Sequence, residues 1–312
     1  MSRALVFPGQ GSQYIGMGKD LADAFEPARL VFEEVNDALG QELSKIMWEG
    51  PEDDLKLTEN TQPALMAHSM AIIRTLEANG KTVTDIASHV AGHSLGEYTA
   101  LCAAGAFSLS DTARLLKLRG QAMQRAVPVG QGAMAAILGM EMDQVSKICE
   151  EASTHGIVVP ANDNGGGQVV ISGETAAVEA AAEAAKGAGA KRALLLPVSA
   201  PFHCPLMKPA AAEMAEAFKS VKINRPTVPV VANVIAAPIS EPEGIEKLLV
   251  EQVTGSVRWR ESVASFAYMG ISAVTEVGAG KALSGMIRRI DRSLEMSNIQ
   301  GPEDLEAFIE SL

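Results

Sequence analysis

Large rings are scarce in this sequence. Aromatic residues make up 4% of the 312 positions, with eight Phe, three Tyr and two Trp. A core short of rings must close with small and adaptable side chains, and the abundant Ala, Gly and Met suit close helix packing and irregular gaps. Cysteine is also short. Cys102, Cys149 and Cys204 cannot all pair and none sits in a C-x-x-C spacing, which predicts reduced thiols and a cytoplasmic setting. No apolar run reaches the roughly 18 residues that a membrane helix needs. No signal-peptide pattern precedes the first apolar segment, so a soluble protein off the membrane is expected. Positive charge is in deficit, with 26 Lys and Arg against 38 Asp and Glu and a net charge of −12. Without a basic stripe to match a phosphate backbone, a nucleic-acid partner is not expected. Lys191-Arg192, Arg258 with Arg260, and Arg288-Arg289 remain as local patches for an acidic partner.

The length allows about two domains' worth of core, or one large domain with an insertion. Strand-like and helix-like segments alternate, which predicts an α/β protein with a parallel sheet. Ala4–Phe7 reads as a first strand, Leu21–Leu39 and Gln62–Ala78 as helices, and Ile86–Ala91 as a second strand. The rhythm then changes between residues 129 and 198. Strand patterns at Ala133–Met140, Ile157–Ala161, Gln168–Ser172 and Arg192–Val198 alternate with helical ones at Asp143–Thr154 and Ala176–Lys186. That β-α-β-β-α-β order is the ferredoxin-like split unit, so residues 129–198 are expected to form a small inserted subdomain. Residues 1–128 and 199–312 would form the large one, completed by a strand at Pro229–Asn233, a helix at Glu243–Gln252, a strand at Ser272–Val277 and a helix at Leu283–Ile290.

Two glycine runs imitate phosphate loops and fail. Behind the first strand, Gly9 and Gly11 begin G-x-G-x-x-G, but Tyr14 stands at its third glycine; Gly18-Lys19 is followed by Asp20 rather than Ser or Thr. Gly278-Ala279-Gly280-Lys281 lacks both the earlier glycine and the hydroxyl that should follow. These glycines need another purpose.

Gly92-His93-Ser94-Leu95-Gly96 matches G-x-S-x-G between a strand and a helix, the setting of a nucleophile elbow. Such a turn exposes the Ser94 hydroxyl above the sheet and aims the Leu95 N–H, at a helix start, into the same space. The competing reading is an ordinary tight strand-to-helix turn. A serine nucleophile needs a base. Of the five histidines, His68 lies in an apolar helix and His155 in a polar turn. His89 and His93 are four apart on a strand and turn, the wrong setting for a zinc pair, and no metal site is expected. His93 neighbours Ser94 in sequence, yet adjacent residues at an elbow diverge. His203 follows a strand pattern and precedes a helix near Pro205, which predicts a place at a sheet's carboxyl edge, kept neutral by a helix N-terminus. A packing histidine is the alternative. Cys204 beside it reads as a small buried residue.

Arg119 stands out by position. On a helical wheel it lands in the middle of the face carrying Leu115, Leu118, Ala122 and Ala126. A guanidinium there is costly unless it meets an anion. That anion is an internal Asp or Glu, or a substrate carboxylate gripped in the bidentate way that suits Arg.

These motifs, in this order, make the sequence resemble the acyltransferase family of fatty-acid and polyketide synthesis, and within it the malonyl-CoA:acyl carrier protein transacylases. Phe7-Pro8-Gly9-Gln10-Gly11-Ser12-Gln13 is similar to the family's opening F-P-G-Q-G-[SA]-Q, and Gly92–Glu97 to its G-H-S-x-G-E. Arg119-Gly120 with Met123, Ala161–Asn164, Pro197–His203, and Glu276-Val277-Gly278 with Gly280-Lys281 match further segments. The resemblance implies an α/β-hydrolase-like large subdomain with an inserted ferredoxin-like one. It implies Ser94 as nucleophile and His203 as base, the backbone N–H groups of Gln10 and Leu95 as oxyanion hole, and Arg119 as carboxylate binder. The Gln252 carbonyl would orient His203; by the residues alone, Asp111 and Asp163 stay open as a third acid. Gln62, His93, Met123, Asn162 and Phe202 are secondary site candidates. Phe202 stands where many discrete members carry serine, and phenylalanine there accompanies malonyl use in related polyketide domains.

The activity implied is ping-pong transfer of a malonyl group from malonyl-CoA, through Ser94, to the pantetheine thiol of acyl carrier protein. No permanently bound cofactor is expected, and the chain is expected to be monomeric. The rivals are a serine carboxylesterase or thioesterase, which leaves Arg119 unexplained, and a non-catalytic carrier-binding module. Acid is expected to inactivate catalysis as His203 protonates, so that a rate independent of pH from about 5 to 8 would argue against a histidine base.

Overall fold

The computed structural model describes residues 2–198 and 200–312; Met1 and Ser199, the expected boundary of the second large-subdomain segment, lie outside the described residues. Among the described residues ten strands run in chain order: β1 Arg3–Phe7, β2 His89–Gly92, β3 Gly132–Leu138, β4 Val158–Asp163, β5 Gln168–Glu174, β6 Arg192–Leu195, β7 Val230–Ala232, β8 Ala237–Ile239, β9 Ala273–Val277 and β10 Glu295–Ile299. They form two sheets in a mixed α/β protein.

The larger sheet has the order β10-β9-β1-β2-β7-β8, parallel throughout except for the β7–β8 hairpin. Its central strand β1 is buried on both faces, as an unbroken apolar run requires. The period of two divides its side chains: Leu5 and Phe7 enter one core, Ala4 and Val6 the other. On the first face lie the long helices Thr58–Ala78 and Leu109–Ala126, and on the second Trp259–Ser265 and Ala282–Ile290. In the parallel β1–β2 pair Phe7 is opposite Gly92. The loop after β1 and the turn after β2 therefore leave the sheet side by side, at the carboxyl edge where α/β sites form.

The smaller sheet is antiparallel with the order β4-β5-β3-β6 and carries its own core, including Ile137, Val145, Ile171 and Val178 beneath two helices. It is tied to the larger body at β4. Val257 donates to Ala161 O and its carbonyl accepts from Asp163 N, at 2.8 and 3.0 Å, while Arg260 Nε donates to the buried Asp163 carboxylate at 2.8 Å.

Several boundaries differ from the sequence reading. The expected Leu21–Leu39 helix is two, Lys19–Ala24 and Glu26–Leu39, parted by an extended Phe25 so that Pro27 falls in a first turn, where its missing N–H costs nothing. The expected Ile86–Ala91 strand starts later. Thr82 and Asp85 form a capping box over a Val83–Ile86 helical turn, and β2 begins at His89. β6 stops at Leu195, and the described residues between it and His203 are not strand. The short helices Leu43–Glu49 and Glu52–Lys56, strands β8 and β10, and the Pro302–Ser311 helix were not anticipated.

Candidate active site

The turn after β2 is forced into a tight path. A Cβ on Gly92 would lie 1.9 Å from the Gly96 backbone, and one on Gly96 2.2 Å from Phe7 O, so both flanking positions of the elbow exclude any side chain. Ser94, between them, holds φ 54° and ψ −112°, a costly conformation for a non-glycine residue and one associated with functional turns. The Leu95–Ala103 helix starts immediately afterwards. Asn233, just past β7, locks this geometry: its Oδ1 accepts from Ser94 N at 2.8 Å and its Nδ2 donates to Gly92 O at 2.7 Å. With Ser94 N so engaged, the backbone N–H groups of Leu95 and Gln10 are left without acceptors among the described residues. The Gln10 loop can approach because Gly9 rests on the elbow; a Cβ there would lie 2.7 Å from His93 O. The opening glycines thus serve close approach of backbone to backbone.

Ser94 Oγ is 2.8 Å from His203 Nε2, and His203 Nδ1 meets Gln252 O at 2.9 Å. This fixes Nδ1 as the protonated nitrogen and leaves Nε2 to accept from the serine. Ser108 caps a helix by accepting from Asp111 N and donates its hydroxyl to the Asp111 carboxylate, and Asp163 pairs with Arg260, so neither aspartate is the third member. His203 reaches the site differently from the expectation. β6 belongs to the smaller antiparallel sheet, and His203 sits on a loop at φ 58° before a single 3-10 turn, Pro205–Met207. Its neutrality also has another cause. Burial, then the nearby Arg119 charge, pushes its pKa down to about 3.

Arg119 is 1% exposed and has no carboxylate within ion-pair distance among the described residues. The internal-partner reading in its simple form fails. Instead Nη1 donates to Gln62 Oε1 at 2.8 Å, and Nη2 to Ser94 Oγ and Gln252 Oε1 at 3.1 and 2.9 Å. The guanidinium also lies 5.5 Å from the Tyr98 ring centroid, and among the described residues its Nε has no hydrogen-bond partner. Gly120 allows this placement, because a Cβ would strike the Glu59 backbone at 2.5 Å where the two long helices cross. A short acyl chain on Ser94 Oγ would therefore begin within reach of a fixed, buried cation.

A cavity of about 240 Å³ opens over these groups, lined by Gln10, Ser94, Arg119 and His203 and walled by Met134, Asn162 and Val170 of the smaller sheet and by Leu283 and Met286 of the Ala282–Ile290 helix. All five secondary candidates line it. Gln62 holds Arg119, while Met123 Sδ lies 3.9 Å from Gln62 Nε2. Phe202 and Asn162 supply wall. His93 turns away from the serine, to Asn164 Oδ1 at 2.9 Å and edge-on to Trp259, as divergence at the elbow requires. Sequence reasoning missed Asn233 and the side chain of Gln252, and gave no role to Asn164, which was quoted only as part of the Ala161–Asn164 segment. Nor did it give Glu97 a role, although the residue was quoted in the elbow motif. Glu97 is 3% exposed and its Oε2 accepts from Asn233 N at 3.0 Å and Gln252 Nε2 at 2.8 Å.

Fold and site together define an α/β protein with a serine–histidine pair on a strand-to-helix elbow, facing a buried arginine. Comparison with known proteins narrows the class. The acyl transferase domain family matches residues 4–300, and the chain belongs to that family. It is 45% identical over 307 residues to the malonyl CoA-acyl carrier protein transacylase of Escherichia coli K12, covering 98% of each chain. Identity to the Bacillus subtilis protein of the same name is 43% over 310 residues, 99% of this chain and 96% of the relative. An acyl-carrier-protein S-malonyltransferase from Bartonella henselae superposes with a TM-score of 0.98 at 55% identity, over 100% of this chain and 99% of that one. A malonyl-transacylase solved in complex with a type II PKS acyl-carrier protein superposes at 0.96 and 43% identity, over the whole of both chains.

Proposed function

We propose that this chain is a malonyl-CoA:acyl carrier protein S-malonyltransferase working through a malonyl-Ser94 intermediate. The observation that carries the reading is the convergence of Ser94 on both His203 and Arg119 in one cavity. Ser94 Oγ attacks the thioester carbonyl while Nε2 of His203 takes its proton. The carbonyl oxygen becomes an oxyanion facing the free N–H groups of Gln10 and Leu95, donors that are each worth about 3 kcal/mol in such sites. The C–S bond breaks, and His203 returns the proton to the leaving thiolate of CoA. The pantetheine thiol of the carrier protein then enters and the sequence runs in reverse. Arg119 binds the malonyl carboxylate, Gln62 and Gln252 hold Arg119, and the Gln252 carbonyl orients His203.

The names of the relatives support malonyl-CoA and acyl carrier protein as substrates, in fatty-acid or polyketide synthesis. Residues 1–128 and 199–312 read as an α/β-hydrolase-like large subdomain and 129–198 as a ferredoxin-like insertion, supported by the two sheets and their strand orders. Ser94, His203, Arg119 and the backbone N–H groups of Gln10 and Leu95 supply the groups this transfer uses, and the chain is read as a monomer working without a resident cofactor. Three buried, free cysteines favour a cytoplasmic setting, and among the described residues no helix is long and apolar enough to cross a membrane. A thioesterase would share the elbow. Partitioning of the malonyl group separates the two: transfer to carrier protein far ahead of hydrolysis is expected, and predominant release to water would overturn the reading.

A further inference from the structure

Among the described residues Arg119 has no direct anionic partner, yet a carboxylate stands one side chain away. The Gln252 amide bridges the gap: Oε1 accepts from Arg119 Nη2 at 2.9 Å, and Nε2 donates to Glu97 Oε2 at 2.8 Å. Gln252 and Asn233 are fully buried and Glu97 nearly so, and thus the chain Arg119–Gln252–Glu97 is shut away from solvent. Among the described residues, the other charged or titratable group facing Glu97 is Tyr98, its neighbour on the same helix, whose hydroxyl burial keeps protonated. β7 contributes Asn233 and the Pro242–Thr254 helix contributes Gln252, both uncharged.

The resting site therefore holds one buried cation and one buried carboxylate that balance through an amide. A malonyl carboxylate arriving at Arg119 adds a second negative charge beside the same buried groups. Two carboxylates sharing one cation are penalised, and the penalty is relieved when one takes a proton. Malonyl must stay ionised to hold Arg119, which leaves Glu97. We propose, resting on the function argued above, that Glu97 is a charge-balancing and positioning residue that takes up a proton as the acyl carboxylate docks on Arg119. Protonated or not, it keeps Oε2 as acceptor for Gln252 Nε2, so the amide stays turned with its oxygen towards Arg119.

Glu97 is poised for this. Burial raises its pKa to about 7, with Asn233, Gln252 and the Arg119 charge opposing the rise. Neutralising Arg119 with a bound carboxylate removes one of those opposing influences and moves Glu97 higher. Malonylation then draws a proton from solvent at pH values above about 7. It also becomes less favourable with rising pH there, by up to about tenfold per unit for one proton. The covalent step itself is neutral, since the Ser94 proton ends on the CoA sulfur.

The test is proton uptake on malonylation. Full-length enzyme is mixed with excess malonyl-CoA in weakly buffered indicator dye from pH 6 to 8.5, with free CoA titrated as the baseline for the released thiol. Intact mass of the same samples reports the malonyl adduct. The expected result is most of one proton taken up per adduct at pH 8, little at pH 6, and none at either pH in Glu97→Gln. An adduct formed without uptake at any pH overturns the inference, as does unchanged uptake in Glu97→Gln. If that variant does not fold, the wild-type pH series still decides, because an equilibrium for malonyl-enzyme formation that is flat above pH 7 contradicts the proposal. Absence of any malonyl adduct overturns the functional reading itself.

Discussion

At the scale of the residue, legibility tracks how local the signal is. Ser94 was readable because the elbow is written in five consecutive residues, and Arg119 because a cation breaks an apolar stripe. His203 was readable only as a candidate, since the loop that brings it 109 positions across the sequence to Ser94 leaves no periodic trace. The Gln252 carbonyl came from resemblance. Its side chain, with Glu97 and Asn233, stayed hidden because their meaning exists only when β7, the elbow helix and the Pro242–Thr254 helix meet. Arg119→Ala is expected to cost about 2–5 kcal/mol in kcat/KM with malonyl-CoA, as for loss of one partner of a buried charge pair, and far less with acetyl-CoA. Equal losses for both donors would contradict carboxylate binding. The pH profile also changes. With His203 pushed down to about 3, the neutral base persists through pH 5, and the acid limb from pH 8 to 5 expected from an ordinary histidine disappears. Acetyl-CoA, which leaves the Arg119 charge in place, gives the clean measurement. Its kcat/KM should stay flat from pH 8 to 5, and an acid limb near 6.5 would show that His203 is not depressed.

Among the elements, existence was more legible than extent. The long helices and the buried strands announce themselves by period. Short pieces such as Leu43–Glu49, Glu52–Lys56 and β8 owe their form to packing and hairpin pairing, which no local window contains. The elbow shows the converse, a short element dictated by close approach. Gly96→Ala forces a methyl group against Phe7 O and is expected to destabilise the protein by about 2 kcal/mol or more. Gly187→Ala makes a control. That glycine ends a helix with open space around its Cβ position, so the change should be neutral or stabilising by up to about 1 kcal/mol. Urea midpoints of the two variants check both, and equal midpoints would remove the argument from backbone contact.

For the whole molecule, the site depends on two sheets being held together. Asn162 and Asn164, next to Asp163 in the β4 segment, line the cavity, and β4 is fastened to the larger body by backbone bonds at Val257 and by Arg260. Asp163 is buried while Arg260 is partly exposed, so Arg260→Ala leaves a buried carboxylate with less support. A loss of about 2 kcal/mol is expected, with hydrogen exchange rising along β4; an unchanged midpoint and unchanged β4 protection would show that the backbone bonds suffice. The alternation of strands and helices made the mixed α/β class legible, but not the seam between the sheets, because Val257 and Arg260 lie about 100 residues beyond β4 in the chain.

The central claim is that Ser94 accepts an acyl group because Arg119 holds that group's carboxylate. Incubating the enzyme separately with malonyl-CoA and acetyl-CoA, then measuring intact mass and mapping the modified peptide, tests it most directly. The account predicts stoichiometric malonylation at Ser94, little acetylation, and no adduct in Ser94→Ala. Acetylation equal to malonylation, or a malonyl adduct that persists in Ser94→Ala, would contradict it.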